Sequence, residues 1–170
     1  MTSTAVNAGE LNTSESTYRG LRRFNLIMGF LHLIQGILMI VLSNDTTYPV
    51  YTYFLNFDVE TLSLGPNPTL IYELLFGPAV ALFLLISAVA HFYLATIGYK
   101  GYVQKLEKGM NPVRFYEYAL SSSWMIVLIG MLVGLWDLGA LILIFSLNAT
   151  MNLFGIMMEF HNQHTQNVNW

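Results

Sequence analysis

Three ionisable side chains stand inside long apolar runs: His32, His91 and Glu117. A titratable group in such a run is costly to bury, so each is a candidate for function. Gln35 follows His32 by three residues, Ser87 precedes His91 by four, and Ser121 follows Glu117 by four. In a helix these spacings put each pair on one face. Arg114, three residues before Glu117, shares that face too. Imidazoles titrate near neutral pH and can hold or pass a proton, and a carboxylate can balance a buried cation. Two readings follow for Glu117: a local pair with Arg114 at the membrane interface, or a counterion for a cation inside a helix bundle. Two follow for the histidines: core imidazoles bonded to neighbouring hydroxyls, or, with Gln35, Ser87 and Glu117 at similar depth, the wall of a hydrated polar cavity.

Other polar residues carry weaker signals. Asn148 lies in the middle of an apolar run and can hydrogen-bond a neighbouring helix, a contact worth about 1 kcal/mol in membranes. Glu73 and Glu159 lie at run ends where water is within reach, which points to structural roles. The methionines, among them Met125, Met131, Met151, Met157 and Met158, read as packing, although soft side chains also suit a polyene. His161 and His164 have i, i+3 spacing, but Glu159 is the only acid near them, so they read as solvated tail residues and no metal site is expected.

The elements that position these residues are membrane helices. The chain has 170 residues, 55% of them hydrophobic and 10% charged, with a mean hydropathy of +0.53. Soluble domains carry about 25% charged residues, so this chain could not cover a soluble surface. A bilayer core takes about 20 apolar residues as helix. Four stretches qualify: residues 24–42, 70–97, 116–135 and 138–160. The second is long enough to tilt or project. The last two are separated only by Trp136-Asp137, so they form a tight helical hairpin. The predicted organisation is a polar disordered tail over residues 1–18, an all-α integral membrane domain over 19–161 and a tail or truncated connection over 162–170. The tail has no apolar run with a cleavage site, so it does not read as a signal peptide. Cysteine is absent, which excludes disulfides and cysteine–metal sites.

Charge sets the topology. The basic residues are Arg19, Arg22, Arg23, Lys100, Lys105, Lys108 and Arg114. They precede the first span or lie between the second and third. Residues 43–69 and the Trp136-Asp137 turn have none. Basic residues favour the cytoplasmic side, which predicts a multi-pass protein of the cell membrane with a cytoplasmic N-terminus. The outer loop 43–69 holds an aromatic, β-branched segment over residues 48–55 and a second candidate over 59–64 ending at Gly65-Pro66. These predict an extracellular β-hairpin; the alternative is an interfacial aromatic loop. The net charge of −3 argues against a nucleic-acid partner. There is no phosphate-binding glycine loop, and no enzymatic activity is expected.

Several segments resemble the heliorhodopsins, retinal proteins with an inverted membrane orientation. They are Asn25 with Phe30-Leu-His-Leu-Ile-Gln35, the run Ala79 to Phe92, Arg114-Phe-Tyr-Glu-Tyr-Ala-Leu-Ser-Ser-Ser123 continuing to Ile129, and Ile144 to Gly155. They cover roughly residues 20–160 in the family's order, and the Glu-Tyr-x-Leu-Ser-Ser-Ser run is the specific one. The resemblance implies the first four helices of a seven-helix rhodopsin-like bundle. It implies that Glu117 is the counterion of the protonated retinal Schiff base. It implies that Tyr118, Ser121, Ser122, Asn148 and Met151 line the pocket of all-trans retinal. It implies that Asn25, His32, Gln35, Ser87, His91, Tyr102 and Asn111 form a cytoplasmic polar cavity that hosts the released proton. It also implies a homodimer to which the outer hairpin contributes.

In the family the retinal-bearing lysine lies in the seventh span. The lysines here, Lys100, Lys105 and Lys108, lie in the second-to-third loop. The sequence therefore reads as an N-terminal fragment, as one half completed by a paired chain, or as a truncated product. The resemblance implies a signalling or regulatory photoreceptor in place of an ion pump, and the nearly all apolar outer halves of these spans support that reading. The alternative is a non-pigmented four-helix scaffold or partner-binding protein. A proton-coupled transporter is a weaker third, since transport predicts helices broken near midplane and Gly77-Pro78 lies near an outer end.

Overall fold

The computed structural model describes the backbone of residues 8–164 and the side chains of residues 16–164. The chain runs α1 (Ala8–Val41), β1 (Thr47–Asp58), β2 (Ser63–Leu75), α2 (Phe76–Ala95), α3 (Tyr99–Leu106), α4 (Pro112–Leu132) and α5 (Leu138–Asn162). The four long helices are apolar and long enough to cross a membrane. At most 33% of any of these spans is buried within the chain, so most of their apolar surface faces outward. That surface suits lipid, where only internally hydrogen-bonded backbone is tolerated.

Helix ends follow local chemistry. Asn111 caps α4 by accepting from the Arg114 amide at 3.4 Å, and Pro112 occupies the first turn, where its missing N–H costs nothing. Asp137 caps α5 by accepting from the Ala140 amide at 2.8 Å. Gly134 closes α4 with φ +92°, a conformation that glycine adopts without a Cβ clash. The α4–α5 connection is therefore residues 133–137, longer than the two-residue turn predicted.

The main packing runs in chain order: α1 on α2, α2 on α4, α4 on α5. Arg22 Nε donates to the Ala95 carbonyl at 2.8 Å, which fixes the start of α1's apolar stretch level with the end of α2. Trp124 Nε1 donates to the Ala79 carbonyl at 2.7 Å and joins α4 to α2. Gly155 of α5 lies against the Phe115 ring of α4, so a side chain there would collide.

The predicted hairpin is present, and its register is longer and shifted. β1 pairs antiparallel with β2 from Thr47↔Leu75 to Asp58↔Ser63. Residues 59–62, expected to begin the second strand, form the turn, and Leu62 has φ +49°. Residues 70–75, expected as the start of the second span, belong to β2, so α2 begins at Phe76. An apolar run that passes from strand into helix carries no hydropathy break. At the other end, residues 8–18, expected as tail, are the first turns of α1. Residues 1–7 and 165–170 of the expected tails lie outside the described residues.

The hairpin is anchored at its base. The Tyr51 amide donates to the Trp136 carbonyl at 2.8 Å. Val50 joins Val127, Met131 and Leu141 in a buried cluster, with Tyr48, Leu74, Leu135, Leu138 and Phe145 packed around it. An isolated two-stranded hairpin is marginal in water, and this apolar base supplies what the strands lack.

Candidate functional site

The polar residues of the spans gather in two groups. The first lies between α1, α2 and α4. The Ser87 hydroxyl donates to Glu117 Oε1 at 2.6 Å, joining α2 to α4. Glu117 lies five residues inside α4, about 8 Å along the axis at about 1.5 Å per residue. His91 Nδ1 lies 2.9 Å from Asn25 Oδ1. Asn25 is 4% exposed and uses its amide to donate to the Leu21 carbonyl at 3.0 Å. The His32 ring stacks on His91 with centroids 5.5 Å apart, and His32 Nδ1 lies 3.2 Å from Gln35 Oε1. Each buried polar atom thus finds a partner, as burial requires.

A cavity of about 200 Å³ opens beside this group. Asn25, His91, Tyr102, Asn111, Arg114 and Glu117 contribute its polar wall. His32, Gln35 and Ser87 stand behind that wall, linked to it by the contacts above. Tyr102 comes from α3, a helix within the connection between the second and third spans. Its phenol is buried next to Asn25, and desolvation raises its pKa above 10.0.

Arg114 turns away from Glu117. Its guanidinium lies 3.8 Å from Glu159 of α5 and over the Phe115 ring. Glu159, expected to reach water, is 7% exposed and accepts from the Asn111 amide at 2.8 Å. Glu117 makes no ion pair among the described residues.

The second group joins α4 to α5 further along the spans. Asn148 Nδ2 donates to Ser122 Oγ at 2.8 Å and to Ser123 Oγ at 3.0 Å. Asn152, one turn on, donates to Ser122 Oγ at 3.3 Å and to the Asn148 carbonyl at 2.9 Å. Ser123 and Asn152 were missed in the sequence, although Asn152 shares the Asn148 face at i, i+4. Ser121 is buried and Met151 is 63% exposed, while Tyr118, 47% exposed, lines the cavity of the first group. No three residues among His, Asp and Glu are grouped to hold a metal among the described residues.

Four apolar spans enclosing a carboxylate, stacked imidazoles and a polar cavity define a multi-pass α-helical membrane protein with an internal polar site. Residues 21–170 match the family model for heliorhodopsin. The chain belongs to the heliorhodopsin family, whose members are rhodopsin-like, light-sensing membrane proteins that generally bind retinal. No curated protein matches the chain.

Proposed function

We propose that this chain is the counterion-bearing part of a retinal photoreceptor, signalling or regulatory in role and neither an enzyme nor an ion pump. The observation that carries the reading is Glu117: a carboxylate inside a span, held by Ser87 at 2.6 Å, with no ion pair among the described residues. Such a group suits a cation brought by a bound molecule. Retinal bound to a lysine as a protonated Schiff base would supply that cation and the absorption of light, with Glu117 as its counter-charge.

The side chains present fit one wall of such a site. Glu117 gives the charge. Ser121, Ser122 and Asn148 give a polar flank on α4 and α5, and Tyr118 and Met151 give exposed aromatic and soft apolar surface. The covalent anchor is not in these spans, because Lys100 and Lys105 lie on α3 and Lys108 just beyond it. In this reading helices outside the four spans carry the lysine and cover Tyr118 and Met151, on this chain or a paired one. The cavity wall of Asn25, His91, Tyr102 and Asn111, backed by His32, Gln35 and Ser87, receives the displaced proton. The apolar cluster under the hairpin offers no polar path to that end, which favours signalling over transport. The basic end faces the cytoplasm of the cell that carries the protein in its cell membrane. The exposure of the hairpin residues Phe54, Leu55 and Phe57 supports a homodimer contact there.

The test is Glu117→Gln in the retinal-bearing protein. The visible absorption maximum shifts, because the charge opposite the chromophore is gone. An unshifted maximum removes Glu117 from the role.

A further inference from the structure

Every arginine and lysine of the chain lies at one end of the bundle, and that end lies at headgroup depth. Residues 24–41 extend about 27 Å at about 1.5 Å per residue, close to the hydrocarbon core of about 30 Å. Arg22 and Arg23 therefore stand just outside that core. The Arg22–Ala95 hydrogen bond brings the end of α2 to the same level. Helix α3 starts at Tyr99, four residues later, so it lies in the same layer.

Helix α3 is two-faced. Tyr102 is buried and Tyr99, Val103 and Leu106 are half-buried, while Lys100, Gln104 and Lys105 are exposed. The Arg22 guanidinium sits 5.0 Å over the Tyr99 ring. This contact ties α1 to α3 and sets Arg23 and Lys100 beside it, each next in sequence to one partner. Arg22 is thus engaged by Ala95 and Tyr99, and Arg114 by Glu159. Arg23, Lys100, Lys105 and Lys108 are exposed and form no ion pair among the described residues. Glu107 is the exposed acid in their midst. The opposite end carries Asp45, Asp58, Glu60, Glu73 and Asp137 and no base.

We propose that Arg23, Lys100, Lys105 and Lys108 form a binding surface for the headgroups of anionic phospholipids. The occupant follows from charge and depth. Four cations without internal partners, held in the layer where lipid phosphates lie, are complementary to a headgroup with net negative charge. A zwitterionic headgroup offers no net attraction. Anchoring by Tyr102 and the Arg22–Tyr99 contact holds the lysine-bearing helix in place, so little ordering is needed on binding.

The test titrates the detergent-solubilised chain with short-chain phosphatidylglycerol and with phosphatidylcholine, and reads bound lipid by native mass spectrometry. The expected result is at least about tenfold preference for phosphatidylglycerol, given roughly fivefold per cation near a charged surface. The triple variant Arg23→Gln, Lys100→Gln, Lys105→Gln loses about tenfold or more in phosphatidylglycerol affinity, which abolishes the preference, and keeps its phosphatidylcholine binding. Lys100→Arg with Lys105→Arg keeps the preference. Added salt weakens phosphatidylglycerol binding to the unaltered chain, a readout that stands even if the triple variant does not fold. Equal binding of the two lipids overturns the proposal, as does binding that ignores salt. Full displacement by millimolar inorganic phosphate also overturns it, because the surface then recognises phosphate and not lipid.

Discussion

Replacing Glu159 tests how the mouth of the polar cavity is built. The carboxylate is buried, accepts from the Asn111 amide at 2.8 Å and lies 3.8 Å from the Arg114 guanidinium. Asn111 is also a cavity residue and the cap of α4, so one side chain of α5 fixes three features at once. A hydrogen bond to a charged acceptor contributes about 1.5–3 kcal/mol. The ion pair is weaker, because the Arg114 side chain is half exposed and solvent screens it; such pairs contribute about 0.2–1 kcal/mol. Glu159→Ala loses both and is predicted to cost about 2–4 kcal/mol, the sum of those ranges. That is a shift of roughly 30- to 700-fold in the unfolding equilibrium. Arg114→Gln loses only the pair and costs under about 1 kcal/mol. Glu159→Gln keeps an acceptor for Asn111 and falls between them. The assay is denaturant unfolding in detergent micelles followed by tryptophan fluorescence. If Arg114→Gln costs as much as Glu159→Ala, the amide contact is not the dominant one and the reasoning fails.

Two further outcomes follow from the same packing. Met131 is 1% exposed in the cluster that seats the hairpin, so Met131→Ala leaves a cavity and costs about 2–5 kcal/mol; proteolysis of the hairpin reads the loosening, and unchanged protection contradicts the seating. The raised pKa of Tyr102 means that its neutral phenol is favoured in the fold. The stability this adds is complete below the unfolded value near 10.0 and is lost as pH rises through the higher folded value. Tyr102→Phe removes that alkaline loss in a pH series of unfolding midpoints, and a variant that still shows it assigns the loss to another group.

The spans were legible because hydropathy needs only composition and length. The fourth was placed nearly whole and the first at its far end, Val41, although its helix begins well before the apolar run, at Ala8. The start of the second was not, because Leu70, Ile71, Leu74 and Leu75 are as apolar as the helix that follows them. Their pairing with residues 47–51 is a long-range fact that one segment cannot announce. Helix α3 was hidden for the opposite reason: it has eight residues and mixed polarity, and it is defined by what Tyr102 buries against. At the site, the residues quoted for the cavity were individually visible. His91 with Asn25 and Ser87 with Glu117 are contacts between helices, set by how α1, α2 and α4 pack. The choice of Arg114 between two carboxylates was equally unreadable. Glu117 is near in sequence, and Glu159, forty-five positions away, is the one within reach.

The most direct test of the photoreceptor reading is a visible absorption spectrum of the purified protein after addition of all-trans retinal, with hydroxylamine bleaching as control. The account predicts a visible band that hydroxylamine abolishes, which requires a lysine from helices beyond the four described here. Properly folded protein with no visible band would contradict it and leave a non-pigmented membrane scaffold in its place.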